Sequence, residues 1–281
     1  MNSVVKAIAN ENELDLVAVS RLSGGDINEV FLLNCSSEIY VVKINSASQF
    51  PMMFETEAKG LELLKASETF TVPDVVATGV TNNEAYLLLE YIKTGQPSTN
   101  FWLDFATNLA NLHQKTRSSF GLDHSNYIGS LPQYNFDETT AAGFFIQQRL
   151  EPQFKMASDR GYKFSSINIF YKNISEEIPN EPPSLIHGDL WNGNYLVSEA
   201  GKPVLIDPAA AFAPREMDIA MMHLFGGFST TLFQAYQEIH PMEKNWEDRI
   251  SLWQLYYLLV HLNLFGSGYL KQVEAILAKY R

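Results

Sequence analysis

The sequence predicts an α+β chain in two lobes, the first rich in β-strands and the second mainly helical. Three observations carry this. Residues 1–92 alternate short β-branched and aromatic runs with Gly, Pro and Asn turns, and include a single convincing helix after residue 50. Residues 93–281 carry apolar residues at helical spacing over long stretches. Between the two, Lys93-Thr-Gly-Gln-Pro97 is polar and linker-like. A chain of 281 residues with 46% hydrophobic and 19% charged residues is ordinary for a globular protein of one large domain or two lobes.

The elements follow in order. Residues 3–18 read as a short amphipathic helix. Residues 19–33 read as strand, Gly24-Gly25 turn, strand, and 39–44 as a strand with Lys43 in its middle. The spacing of Phe54, Leu61 and Leu64 predicts a helix over 52–66, and two further strands cover 72–79 and 84–92. In the second lobe, helices are expected at 101–115, 139–160 (interrupted by Pro152), 214–225 and 245–265. Short strands are expected at 185–186, 195–197 and 204–206. The longest apolar run, 252–265, contains Gln254, His261 and Asn263 and falls short of a span of about 20 residues, so it reads as a core helix.

Charge and cysteine content narrow the function. A net charge of −12 and a sequence pI near 4.9 disfavour nucleic acid and anionic membranes as partners. The one cysteine, Cys35, allows no intrachain disulfide and reads as an inert thiol in a reducing compartment. The start of the chain has no apolar core behind a basic segment, so a cytoplasmic protein is expected. Nothing in the sequence bears on oligomeric state.

The chemistry gathers in Ser184-Leu-Ile-His-Gly-Asp-Leu-Trp-Asn-Gly-Asn-Tyr-Leu-Val197. Asp189 and Asn194 lie five positions apart in one turn, and Asp207 ends the next strand, before Pro208. A hairpin from Tyr195 to Ile206 would return Asp207 to Asn194. Hard oxygen ligands of this kind suit Mg²⁺, which takes few protein ligands and keeps waters and substrate phosphates. Phosphoryl transfer from ATP needs the same inventory: an Asp to accept the proton of the attacking hydroxyl, an Asn and a second Asp on the metal, and a lysine on the phosphates. Asp189, Asn194, Asp207 and Lys43 fill those places, and Glu57, on the helix after Lys43, can pair with it. The order lysine, glutamate, hinge, Asp-x₄-Asn, Asp matches that of kinases.

The chain resembles the fructosamine kinase (ketosamine kinase) family, relatives of aminoglycoside phosphotransferases and choline kinases with a bilobal protein-kinase-like fold. The resembling residues are His187-Gly-Asp-Leu-Trp-Asn-Gly-Asn194, Asp207-Pro-Ala209, Arg215-Glu-Met-Asp-Ile-Ala-Met221, Leu224-Phe-Gly-Gly-Phe228, Gly24-Gly-Asp-Ile-Asn28, Met53-Phe-Glu-Thr-Glu-Ala58 and Asn126-Tyr-Ile-Gly-Ser-Leu-Pro-Gln133. The resemblance implies ATP- and Mg²⁺-dependent phosphorylation of a sugar hydroxyl on a ketoamine such as fructosamine or ribulosamine, for example on glycated lysine, as deglycation repair. It also implies Asp189 as base, Asn194 and Asp207 as metal ligands, Lys43 and Glu57 at the phosphates, and Glu90, Tyr91 and Ile92 as the adenine hinge. It divides the chain into a nucleotide-binding lobe, 1–92, and a catalytic and acceptor-binding lobe, 93–281. Ala210-Ala-Phe-Ala-Pro214 departs from the family's aromatic pattern at that point.

Other readings stand beside these. Trp191 is a packing residue or a platform for the sugar or amine. Glu216 contacts substrate, or with Asp218 suits the first turn of a helix. His187 is structural or, with Asp189, part of a metal hydrolase site. The protein as a whole could phosphorylate another acceptor, an aminoglycoside or amino alcohol, or bind nucleotide without turnover.

Overall fold

The computed structural model describes residues 3–22 and 27–281; the Gly24-Gly25 turn lies outside them. Helix α1 (Ser3–Glu11) is shorter than its amphipathic pattern suggests. Glu13 takes a left-handed φ of 56° and turns the chain into β1 (Leu16–Arg21), where β-branched alternation prevails. Strands β2 (Glu29–Cys35), β3 (Ile39–Ser46), β4 (Val75–Thr81) and β5 (Glu84–Glu90) complete an antiparallel sheet of order β1-β2-β3-β5-β4, with α2 (Met53–Ala66) between β3 and β4 in the chain. The pleat of β3 sends Val42 and Ile44 into a cluster with Val5 and Ile8 of α1, and turns Val41 and Lys43 to the other face.

The second half is helical as expected, with α3 (Phe101–His113), α4 (Ala141–Gly143), a π-helix (Phe144–Leu150), α5 (Glu151–Asp159), α6 (Ile167–Glu177), α7 (Glu216–Phe225), α8 (Thr230–Ile239), α9 (Trp246–Phe265) and α10 (Leu270–Lys279). Pro152 does not break the 141–159 helix. It sits in the first turn of α5, where the wider π spacing gives way to α and an N–H is missing without loss. Short pairs decorate this half: hairpin β6 (Asn126–Ile128) with β7 (Leu131–Gln133), β8 (Ser184–Ile186) with β11 (Ala211–Ala213), and β9 (Tyr195–Val197) with β10 (Pro203–Leu205).

The lobes are stitched together. The Lys93–Gly95 linker hydrogen-bonds the β9–β10 hairpin, Gly95 N–H to Val197 O and Lys93 O from Glu199 N–H. Thr71 bridges to Val204 and accepts from Leu205 N–H. One apolar cluster runs from Phe54, Leu87 and Leu89 through Phe101 and Phe105 to Leu205, Leu232 and Tyr236. A second lies wholly in the helical half around Phe145, Trp253 and Tyr256. Among the described residues no helix is long and apolar enough to cross a membrane.

Candidate active site

The β9–β10 hairpin forms as its sequence requires, with Leu205 opposite Tyr195 and Ile206 N–H on Asn194 O at 3.1 Å. That register sets Asp207 beside Asn194. The preceding turn is closed by Trp191 N–H on Asp189 O and Asn194 N–H on Trp191 O. Both amide hydrogens of Asn194 go to Asp189, one to its carbonyl (2.8 Å) and one to Oδ2 (3.0 Å). The Asn194 amide oxygen is thereby left to accept or coordinate.

Lys43 is buried, with Nζ 2.6 Å from Glu57 Oε1 and 2.5 Å from Asp207 Oδ1. Burial alone would lower the ammonium's pKa; Asp207 and Glu57 outweigh it and hold it above lysine's usual value. Two of its three hydrogens are taken, leaving one for a phosphate oxygen. Asp207 has a left-handed φ of 56° and keeps 43% of its side chain open. Asp189, half-buried, has its carboxyl pushed up to about 7, mainly by desolvation and further by Asp207 and Asp218, against the pull of Asn194.

Lys43, Glu57, Asp189, Trp191, Asn194 and Asp207 line one cavity of about 710 Å³ between the sheet and the helices. Tyr257, His261 and Phe265 of α9 form much of its far wall. Asn194 and Asp207 offer hard oxygens into this one space, a set that fits Mg²⁺ completed by waters and phosphates.

Glu90, Tyr91 and Ile92 stand at the end of β5, outside the cavity lining, and Tyr91 N–H is committed to Ile39 O. Glu216 is elsewhere altogether. It is buried, and its carboxylate accepts from Arg249 Nε and Nη2 and from Trp253 Nε1, so the expected substrate contact is corrected to an internal ion pair between α7 and α9. His187 is also structural: Nε2 donates to Ile206 O and Nδ1 accepts Asp189 N–H, and burial lowers its pKa, so the ring is neutral and saturated.

Sequence reasoning missed two supports. Asp218 is more than a helix-dipole residue. It is fully buried and accepts His187 N–H and Gly188 N–H at 2.8 Å each, with His113 Nε2 at 3.3 Å. Tyr257 OH donates to Gly188 O. Gly188 has φ 83°, and a Cβ there would lie 2.1 Å from Ala209 O. Only the loop itself could have pointed to them, since its backbone needs partners from helices far along the chain. Gly193 has a different constraint: an added Cβ would meet the Trp191 ring at 2.3 Å.

A family model for fructosamine kinase matches residues 2–281. The chain belongs to the fructosamine kinase family. It is 40% identical over 263 residues to a "Probable ketoamine kinase" of Enterococcus faecium, covering 92% of this chain and 93% of that one. A "Probable ketoamine kinase" of Lactiplantibacillus plantarum is 38% identical over 272 residues, with 95% of each covered. A solved structure of a "putative fructosamine-3-kinase" from Thermobifida fusca superposes with TM-score 0.86 at 30% identity, over 99% of this chain and 98% of that one. An aminoglycoside phosphotransferase in complex with AMP-PNP and hygromycin B, 18% identical with TM-score 0.67, shares the fold. This fructosamine kinase family member is thus a phosphotransferase with the bilobal protein-kinase-like architecture.

Proposed function

We propose that this protein transfers the γ-phosphoryl group of ATP to a sugar hydroxyl of a ketoamine, of the fructosamine or ribulosamine kind carried on glycated lysine, and acts in the cytoplasm as a repair enzyme. The observation that carries the reading is the meeting of Lys43, Glu57, Asp189, Asn194 and Asp207 at one cavity.

Asp189 takes the proton of the attacking hydroxyl. The sugar oxygen bonds to the γ-phosphorus, the bond from that phosphorus to the β–γ bridging oxygen breaks, and ADP leaves. A carboxyl pushed up to about 7 is well placed for a base near neutral pH. Lys43, oriented by Glu57, holds phosphate oxygens with its remaining hydrogen. Asn194 and Asp207 would hold Mg²⁺, which when bound neutralises charge on the phosphates. The adenine is assigned to the Glu90–Ile92 end of β5, outside the cavity lining, where the Glu90 and Tyr91 N–H groups are already bonded within the fold. Among the described residues lining the cavity, Lys43 is the one Lys or Arg, which favours a neutral sugar on a cationic amine over an anionic acceptor. Trp191 gives that acceptor an apolar face.

The test is ADP release with ATP and Mg²⁺ against fructosyl-lysine, ribulosyl-lysine, an aminoglycoside and choline, each with wild type and Asp189→Asn. Release that requires a ketoamine and Asp189 is expected. Activity only on an aminoglycoside or choline overturns the acceptor class, and nucleotide binding with no transfer to any acceptor overturns the reaction.

A further inference from the structure

Asp207 is a non-glycine residue held at positive φ, a conformation that persists only where its surroundings impose it. The chain after it is gripped on both sides. Ala209 N–H donates to His187 O of the catalytic loop. On the other side, Gln133 Nε2 donates to Ala209 O and Asn126 Nδ2 to Ala210 O, both at 3.0 Å.

Side-chain amides can flip, so something must fix which end faces Asp207's segment. The structure supplies it. Tyr256 OH donates to Gln133 Oε1 at 2.7 Å. Gln133 Nε2 and Asn135 Nδ2 both donate to Asn126 Oδ1. Arg149 Nη2 donates to Asn135 Oδ1 at 2.8 Å. Arginine has donors only, so it sets the direction of the whole chain: Arg149 to Asn135 to Asn126 to Ala210. Arg149 is 1% exposed, comes from the π-helix, and has no carboxylate partner among the described residues. Its Nη1 donates to the Tyr134 and Gln148 carbonyls, its Nη2 holds Asn135, and the guanidinium lies 4.4 Å from the centre of the Phe144 ring and 5.6 Å from that of Tyr256. A buried cation is expensive unless its hydrogen bonds are needed.

We propose that Arg149 is a positioning residue for phosphoryl transfer: through Asn135, Asn126 and Gln133 it holds the segment after Asp207 so that the Asp207 carboxylate stays aimed at the divalent cation. This rests on the reading of Asp207 as a metal ligand given above.

The test reads metal binding without turnover, by electron paramagnetic resonance titration of Mn²⁺ in the presence of ADP. Wild type, Asp207→Asn, Arg149→Met, Gln133→Leu and the control Asn263→Ala are compared, each with its thermal midpoint. Among the described residues Asn263 donates only to Gln153, and neither residue lines the cavity or joins the Arg149 network. Arg149→Met and Gln133→Leu are expected to weaken Mn²⁺ binding roughly tenfold, as loss of a group that orients a metal ligand does, while Asn263→Ala lowers the midpoint and leaves Mn²⁺ affinity alone. If Arg149→Met does not fold, Gln133→Leu decides. Wild-type affinity in the folded Arg149 and Gln133 variants, with Asp207→Asn weakened, sinks the positioning role alone. Wild-type affinity in Asp207→Asn sinks the ligand reading and the positioning role with it.

Discussion

The buried ion pairs at Glu216 and at Lys43 do different things. At Glu216 every carboxylate lone pair that matters is met from inside, by Arg249 and the Trp253 indole, and the group lies outside the lining of the cavity. At Lys43 the pairing is as close, yet Asp207 stays 43% open and the lysine keeps a spare hydrogen facing a cavity. An ion pair closed on itself is structure; an ion pair with unused valence at a cavity is a place for a ligand. Buried charge alone does not separate the two.

Four substitutions or titrations sharpen or break that contrast. The largest effect is expected at Asp189→Asn, which should lower turnover by roughly 10²–10⁴ through loss of the base; steady-state assays at saturating ATP check it, and near-normal turnover removes Asp189 from catalysis. Next is Glu216→Ala. It leaves Arg249 buried and unpaired, and should cost about 3–5 kcal/mol in denaturant unfolding, while the folded protein keeps its KM values; a KM change with unaltered stability would reverse the assignment.

The third effect is pH dependence. The folded pKa of Asp189 is raised to about 7, so kcat/KM should fall about tenfold per pH unit below that value. The same shift has a stability sign. Below the ordinary carboxyl range Asp189 is protonated in both states and contributes no pH dependence. As pH rises toward 7 the unfolded chain ionises first, and the folded state loses ground. Asp189→Asn should therefore melt above wild type at pH 8, and the gap should close as pH falls toward 4. A constant gap would show that burial does not perturb this carboxyl. The smallest effect is expected for Tyr257→Phe, which deletes one hydrogen bond to Gly188 O, worth about 1 kcal/mol; a severalfold drop in turnover with KM for ATP unchanged is the predicted reading.

The geometry of the Asp189–Asn194 turn was readable because its logic is local. Asp189, Asn194 and the hairpin that returns Asp207 lie within nineteen positions of each other, and hairpin register follows from pattern. Lys43 and Glu57 were readable from one strand and the helix after it. What lay hidden depends on distance or brevity. Glu216 and Asp218 share one helix turn, and only their partners on α9, α3 and the His187–Gly188 loop show that both are engaged inside the fold. Asn126 and Gln133 were visible as a motif, but the carbonyls they hold lie 84 and 76 positions away. Strands β6, β7 and β11 have three residues each and lack the adjacent branched aliphatics that mark the equally short β8, β9 and β10, and the π-helix has no compositional mark.

The contact between Gly193 and the Trp191 ring ties the backbone of the turn to the shape of the cavity. With the indole folded over it, position 193 has no room for a methyl group. A side chain at 193 therefore displaces the half-exposed indole from its place over the turn. A substitution at 193 is thus also a change in the cavity wall that Trp191 lines.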